Sequence, residues 1–273
     1  MTVGLLRTII KRARARFQRC HNVEIHIADH CNLNCCGCSH YAPIADKWFI
    51  TTREFETEIS LLAKKIPCFF DIIKLMGGEP LMNPEIGELI RLTRVYFPKV
   101  NIYIVTNGIL IRKMQESFFE ICRKYRVVIY ITIYPIKIDY EQLKSFLESK
   151  GVKCEFYGDR TECNFRHDVL DCDGKYSSWH NYMTCTRGGT VLQLRHSKIF
   201  ACAQCAYIEY INKRFNTNFQ YQSDDYLDLS KINSVFKLWI FIFTKKSFCR
   251  YCALDKVKKV EWKLSKGTKD EWF

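Results

Sequence analysis

The chain has 273 residues, 48% of them hydrophobic, which suits one large α/β domain with an appendage or two small domains and argues against a disordered chain. Fifteen cysteines without a signal-peptide pattern or a bilayer-length apolar run argue against a secreted disulfide scaffold or a transmembrane protein, and for metal in a reducing cytoplasm. The net charge of +13 predicts attraction to polyanions, but no motif specific for nucleic acid accompanies it.

Residues 1–22 are predicted as a basic amphipathic helix. Leu5, Leu6, Ile9, Ile10, Ala13 and Phe17 recur at helical spacing among arginines and lysines. The favoured expectation is that this apolar stripe packs on the chain's own domain. The alternative is peripheral contact with an anionic membrane through residues 5–19, at the inner membrane surface. Val23 to Asp29 alternates as a strand and runs into Cys31-Asn-Leu-Asn-Cys35-Cys36-Gly37-Cys38. Cys31, Cys35 and Cys38 put three thiolates on one short loop, as a [4Fe–4S] cluster with one iron left open would require. A half-built zinc site, with His40 nearby, and loosely packed thiols are the alternatives.

Thr51-Thr-Arg-Glu54 is a capping-box pattern opening a helix whose apolar face is Phe55, Ile59, Leu62 and Ile66. A strand from Phe69 to Met76 ends at Gly77-Gly78-Glu79-Pro80, and a helix runs from Pro84 to Tyr96. Asn101 to Val105 is a strand ending at Thr106-Asn107-Gly108. Helix 111–125, strand 127–134, helix 139–150 and strand 152–157 follow. Strands alternating with helices predict parallel βαβ units with sites at the C-terminal strand ends, where Thr132 and Tyr134 also fall.

The cysteine loop, followed one βα unit later by Gly77-Gly78-Glu79-Pro80, resembles the signature of the radical S-adenosylmethionine (SAM) superfamily. That resemblance implies a partial (β/α) barrel over residues 23–159. It implies a [4Fe–4S] cluster on Cys31, Cys35 and Cys38 whose free iron chelates S-adenosyl-L-methionine. Gly77, Gly78, Glu79 and Pro80 are the motif that holds the SAM amino group, and Thr106 and Asn107 are candidates for the ribose. Gly37 stands where many members carry an aromatic residue beside the adenine, so Tyr41 is the candidate for that contact. The chemistry implied is reductive cleavage of SAM to a 5′-deoxyadenosyl radical that abstracts hydrogen from substrate, with electrons from a flavodoxin- or ferredoxin-type donor.

Residues 160–184 read as an irregular connector. From 185 to 255 a predicted hairpin turning at His196-Ser197, a helical segment over 229–243 and Cys249-Arg-Tyr-Cys252 form a cysteine-rich unit. Four cysteines suit structural zinc and a cluster equally. The arrangement resembles the twitch form of the SPASM/twitch extension, which implies one auxiliary [4Fe–4S] cluster on Cys185, Cys202, Cys249 and Cys252, with Cys205 competing for the place of Cys202. Cys20, Cys36, Cys68, Cys122 and Cys154 are expected as core or surface thiols, and Cys163 and Cys172 are unassigned. The tail, 256–273, is expected to dock by plain packing, with an aromatic lid as the alternative.

Similarity to twitch-bearing aminocyclitol dehydrogenases implies oxidation of a hydroxyl on a small molecule: a sugar, cyclitol or sugar-nucleotide. Arg187, His180 and His196 are candidates to bind phosphate or take the proton. A maturase of ribosomal peptides, making a thioether or carbon–carbon bond, and a non-catalytic metal-binding interaction protein are the alternatives.

Overall fold

The computed structural model describes residues 3–158 and 164–273. From its start the chain alternates helix and strand: α1 (Val3–Arg19), β1 (Asn22–Ala28), α2 (Thr52–Lys65), β2 (Ile72–Gly77), α3 (Ile86–Tyr96), β3 (Asn101–Thr106), α4 (Glu116–Lys124), β4 (Val128–Thr132), α5 (Tyr140–Ser149) and β5 (Lys153–Tyr157). The capping box of α2 forms as the sequence predicts, with Thr51 and Glu54 each satisfying the other's backbone N–H. The predicted helix over 111–125 begins as a short 3-10 turn and becomes α-helical only at Glu116.

Five consecutive strands pair in parallel in the order β5-β4-β3-β2-β1. Strand alternation sorts their side chains into two faces. Val23, Ile25, Ile73, Leu75, Ile102, Ile104, Ile129 and Ile131 are buried in the main apolar core, which also takes in residues of α2–α5. The other face is polar and cross-linked: Glu24 accepts from Lys74 Nζ at 3.3 Å and from Gln193 Nε2 at 2.6 Å, and Tyr103 reaches Glu155 at 3.3 Å. A sheet that is apolar outside and polar inside curls around a wet interior.

After the described residues resume come β6 (Asn164–His167), α6 (Ser178–Thr184), β7 (Leu192–Arg195), β8 (Lys198–Phe200), α7 (Ala203–Ala206), α8 (Glu209–Phe215), β9 (Tyr226–Asp228), α9 (Val235–Phe243) and β10 (Lys258–Glu261). The predicted hairpin is present as β7 and β8, but it does not stand apart. Strand β7 pairs in parallel with the free edge of β1, so one eight-stranded sheet runs β5-β4-β3-β2-β1-β7-β8-β9. The sixth parallel strand, which is not recognisable as a further βα repeat, is supplied by the cysteine-rich unit. The connector expected to be irregular contains β6, which pairs antiparallel with β10 of the tail, and α6, capped by Ser177.

Helix α1 divides its expected apolar stripe: Leu5, Ile9 and Ala13 are half-buried, whereas Leu6, Ile10 and Phe17 are exposed. Its buried residue is Arg16, whose guanidinium donates to the carbonyls of Gly188 at 2.8 Å and of Tyr182, and lies 4.2 Å over the Tyr182 ring. Arg12 donates to Thr184 O at 3.2 Å. Val3, Leu6, Ile10 and Phe17 face outward. The favoured expectation that α1 buries its apolar stripe thus holds for only half of it, and charge-assisted bonds to backbone carbonyls complete the docking of this helix. Replacing Arg16 by alanine is predicted to destabilise the fold by about 2–4 kcal/mol, because buried carbonyls lose their donor. Arg14→Ala, at an exposed position of the same helix, is predicted to change stability by less than about 0.5 kcal/mol in the same denaturant titration.

Candidate functional site

The cysteine loop leaves the C-terminal end of β1. Cys31 and Cys38 lie close enough to raise the thiol pKa of Cys35, and Cys38 that of Cys31, with burial the larger cause: Cys31 is pushed up to about 11, Cys35 to about 12, and burial raises Cys38 too. All three sulfurs receive N–H donors, Cys31 from Leu33 N at 3.4 Å, Cys35 from Trp262 Nε1 at 3.2 Å, and Cys38 from the backbone of residues 40–42. Cys36 turns the other way, against the Glu271 carboxylate. It lies outside the trio, as the register predicts.

The tail supplies much of this support. Cys36 N donates to Lys263 O, Ser265 N to Asn34 O, and Trp272 Nε1 to Cys38 O at 3.1 Å. Trp262 and Tyr134 are ring neighbours at 6.2 Å, and Tyr134 also hydrogen-bonds Cys35. Sequence reasoning weighed the tail as packing or a lid. It does pack, but on the cysteine loop itself, and Trp262 and Trp272 were missed as site residues. Indole N–H donors some 230 positions away leave no spacing signal.

Gly77 and Gly78 bring β2 directly against the start of the loop. A Cβ on Gly77, which has φ +141°, would stand 1.9 Å from Ala28 O, and one on Gly78 would stand 2.0 Å from His30 O. Gly78 N donates to Ala28 O, and Glu79 N to His30 O. Glu79 is fully buried and accepts from Leu81 N at 3.1 Å, Thr106 Oγ1 at 2.7 Å and Asn107 N at 3.0 Å. Desolvation pushes its carboxyl up to about 7 against those three donors. Pro80 starts the turn beyond it. Asn107 continues the chain of contacts to Asn32 Oδ1 at 2.7 Å. Glu79, Thr106 and Asn107 thus brace the loop from below.

Tyr41, the candidate for adenine, is placed elsewhere. It is buried in a second apolar cluster with Trp272, Phe248 and Cys205, and its hydroxyl donates to Gln204 O at 3.4 Å. Gly37 has φ +66°, and a Cβ there would meet His167 at 2.9 Å. Close packing, as well as conformation, calls for glycine at this position.

Cys185, Cys202, Cys205, Cys249 and Cys252 line one small cavity. Cys185 caps α6, and its sulfur accepts from Arg187 N at 3.4 Å and Gly188 N at 3.3 Å. Asn181 holds the facing loop by donating to Cys249 O at 2.9 Å and Cys252 O at 2.6 Å. Cys249 and Cys252 each feel both Cys202 and Cys185, and all three thiols other than Cys185 have raised pKa values, chiefly from burial. Cys205 sits beside Cys202, Cys249 and Cys252 as a fifth thiol. Cys20 and Cys122 are buried core thiols and Cys68 is exposed, as expected, while Cys172 is exposed and Cys163 lies outside the described residues.

Between the two cysteine groups lies the polar interior of the sheet, an open chamber of about 540 Å³. Ser39 and His40 line it from the first loop, and Arg187, Cys202 and Gln204 from the second site. Thr132 and Tyr130 contribute from β4. Arg19, Lys74, Arg166 and Arg187 make its lining basic, with Glu24 opposing them. Lys74 is paired with Glu24, while Arg166 and Arg187 share the single carboxylate of Asp168 at 2.6 and 2.8 Å. The lining therefore holds more cationic than anionic charge.

His40 is fixed by a buried chain. Asp29 accepts from His26 Nδ1 at 2.8 Å, so His26 Nε2 is the acceptor for His40 Nδ1 at 2.8 Å. That tautomer leaves Nε2 of His40 with a lone pair. Burial holds both imidazoles neutral, His40 down to about 3. Of the sequence candidates for catalysis, Arg187 faces the chamber. His180 is exposed on α6, and His196 opens onto a different cavity beside Trp48, Glu54 and Glu58.

Residues 25–145 match the family model described as the Radical SAM superfamily. A GTP 3′,8-cyclase of Microcystis aeruginosa is 28% identical over 102 residues, 36% of this chain and 30% of that protein. One from Rhodopirellula baltica is 34% identical over 101 residues, 36% of this chain and 28% of that protein. The match spans about a third of the length of these curated relatives. In fold, the chain is similar to BtrN solved in complex with AdoMet and 2-DOIA, with a TM-score of 0.55, 14% identity, and coverage of 85% of this chain and 92% of that one. Residues 25–145 thus match a radical SAM domain, and that family implies a [4Fe–4S] cluster and S-adenosyl-L-methionine. The donor set fits: three neighbouring sulfurs, each receiving N–H bonds of the kind that tune such clusters. Among the described residues no three donors stand close enough to share one metal ion, and a cluster that places each thiolate on its own iron does not require it.

Because the Cys31 and Cys35 thiols stay protonated below about 11 and 12, loading must expel their protons. Apparent iron affinity of the apoprotein is predicted to rise between pH 7 and 9, read by anaerobic iron titration. Cys249→Ala and Cys202→Ala are each predicted to lower iron by about four per chain, whereas Cys205→Ala keeps the full complement in the same iron and sulfide analysis.

Proposed function

We propose that this chain, with its radical SAM domain at residues 25–145, oxidises a hydroxyl of a sugar, cyclitol or sugar-nucleotide, using Cys31, Cys35 and Cys38 for the SAM-binding cluster and Cys185, Cys202, Cys249 and Cys252 for an auxiliary one. The observation that carries this reading is that a single chamber is lined by Cys202 of the second cysteine group and by Ser39 and His40, which directly follow the cysteines of the first. With clusters and SAM bound, the first site supplies a hydrogen-abstracting group and the second an acceptor for the electron the substrate then gives up. The substrate loses a hydrogen atom from carbon, then one electron and the hydroxyl proton, leaving a carbonyl.

The chain's own residues orient that substrate. Nε2 of His40 accepts a hydrogen bond from the hydroxyl, its tautomer set by His26 and Asp29. Arg187 and Arg166, with one carboxylate between them, hold an anionic group such as a phosphate. The polar chamber, about 540 Å³, falls within the roughly 300–1000 Å³ of ordinary ligand pockets. Likeness in fold to BtrN supports the dehydrogenase reading. The names of the cyclase relatives favour a second one, in which a purine nucleotide fills the same basic chamber.

The reconstituted protein, mixed anaerobically with SAM and dithionite, is predicted to form 5′-deoxyadenosine. A panel of sugar-nucleotides, cyclitols and GTP then separates the readings by product mass. A two-hydrogen loss supports oxidation, GTP turnover alone supports the second reading, and no SAM cleavage by fully iron-loaded protein sinks both. Arg187→Met is predicted to raise KM for a phosphorylated substrate about 10–100-fold, the equivalent of one charge-assisted contact, with iron content unchanged.

A further inference from the structure

No described helix is long and apolar enough to cross a membrane, yet two helices present apolar stripes to solvent. On α1, Val3, Leu6, Ile10 and Phe17 fall at the alternating three- and four-residue spacing of a single helix face. On α9, Phe236, Ile240 and Phe243 do the same. These seven side chains are between 37% and 69% exposed. The two stripes are one surface: Phe17 stacks on Trp239 at 5.5 Å between ring centroids, and Trp239 stacks on Phe243 at 6.1 Å. Surfaces of this kind mark interaction sites rather than ordinary exposure.

The charges around it identify the partner. Arg7, Lys11 and Arg14 flank the α1 stripe on exposed positions, and Lys237 and Lys245 are exposed beside that of α9. The sequence has no Asp or Glu from residue 1 to 23 and none between Asp228 and Asp255, so nothing acidic on either segment offsets them. We propose that the α1–α9 face docks on the surface of a bilayer containing anionic lipids. The apolar side chains enter the headgroup–acyl boundary, and the flanking cations meet lipid phosphates. The helix is held from behind by Arg12 and Arg16, so its apolar stripe stays turned outward and no residue need reorient on binding. This contact is independent of what the chamber binds.

The test is co-sedimentation of the iron-loaded full chain with vesicles of phosphatidylcholine alone or mixed equally with phosphatidylglycerol. Binding to the mixed vesicles is expected to be at least about tenfold stronger and to weaken sharply in 1 M salt, where the screening length falls to about 3 Å. The double variant Ile10→Ser/Phe236→Ser, altered only at exposed positions, is expected to lose about tenfold in vesicle binding while keeping its iron and SAM cleavage. Charge reversal by Lys11→Glu/Arg14→Glu is expected to abolish the preference for phosphatidylglycerol. Equal binding by wild type and the double variant overturns the proposal, as does failure of wild type to bind mixed vesicles. A wild-type dimer in light scattering that the double variant converts to monomer assigns the face to a second copy of the chain and equally overturns it.

Discussion

Asp29 is the interaction on which the arrangement rests. It is 1% exposed at the end of β1, two residues before the first cysteine, and a buried carboxylate is tolerable only when its oxygens are taken up. Here they accept from His26, from the Arg195 guanidinium at 3.1 and 3.2 Å, and from the Tyr210 hydroxyl. Those partners hold the carboxyl far below the ordinary range despite burial. They also come from three places, β1, β7 and α8, so satisfying one charge ties the barrel strands to the cysteine-rich unit. Tyr207 stacks on His26 at 3.7 Å and closes the joint.

From that joint the rest follows. β7 pairs with β1 where Arg195 at its end meets Asp29, and the pairing brings Cys202 to the chamber that Ser39 and His40 line. His40 is held through His26 by the same carboxylate. A chamber reached from both cysteine segments therefore rests on one buried ion pair and one parallel strand contact.

Legibility from sequence divided along physical lines. The parallel barrel strands, the capping box at Thr51 and both cysteine groups were readable because their signals are local: alternation, spacing and cap chemistry. Cys185, Cys202, Cys249 and Cys252 do converge on one cavity, although the sequence separates them by up to 67 residues. What could not be read was set by contacts without periodicity. Trp262 donates to Cys35, β6 finds β10 across some ninety residues, and Tyr41 turns toward Gln204. The stripe of α1 was read correctly as amphipathic, but only Leu5, Ile9 and Ala13 turn toward the domain while Leu6, Ile10 and Phe17 turn away. Hydropathy reports that a face is apolar, whereas the direction it faces was decided by two arginines finding carbonyls.

Those arginines make α1 a lever on the second cysteine site. Arg12 grips the carbonyl of Thr184 and Arg16 that of Gly188, and Cys185 lies between them with its sulfur receiving the N–H of Gly188. The outer side of the helix meets solvent while its inner side ends one peptide from Cys185. A load on the helix, whether a substitution, a truncation or a surface pressing on it, is delivered to both flanks of Cys185. The backbone dipoles around that sulfur are thus within mechanical reach of the molecule's exterior.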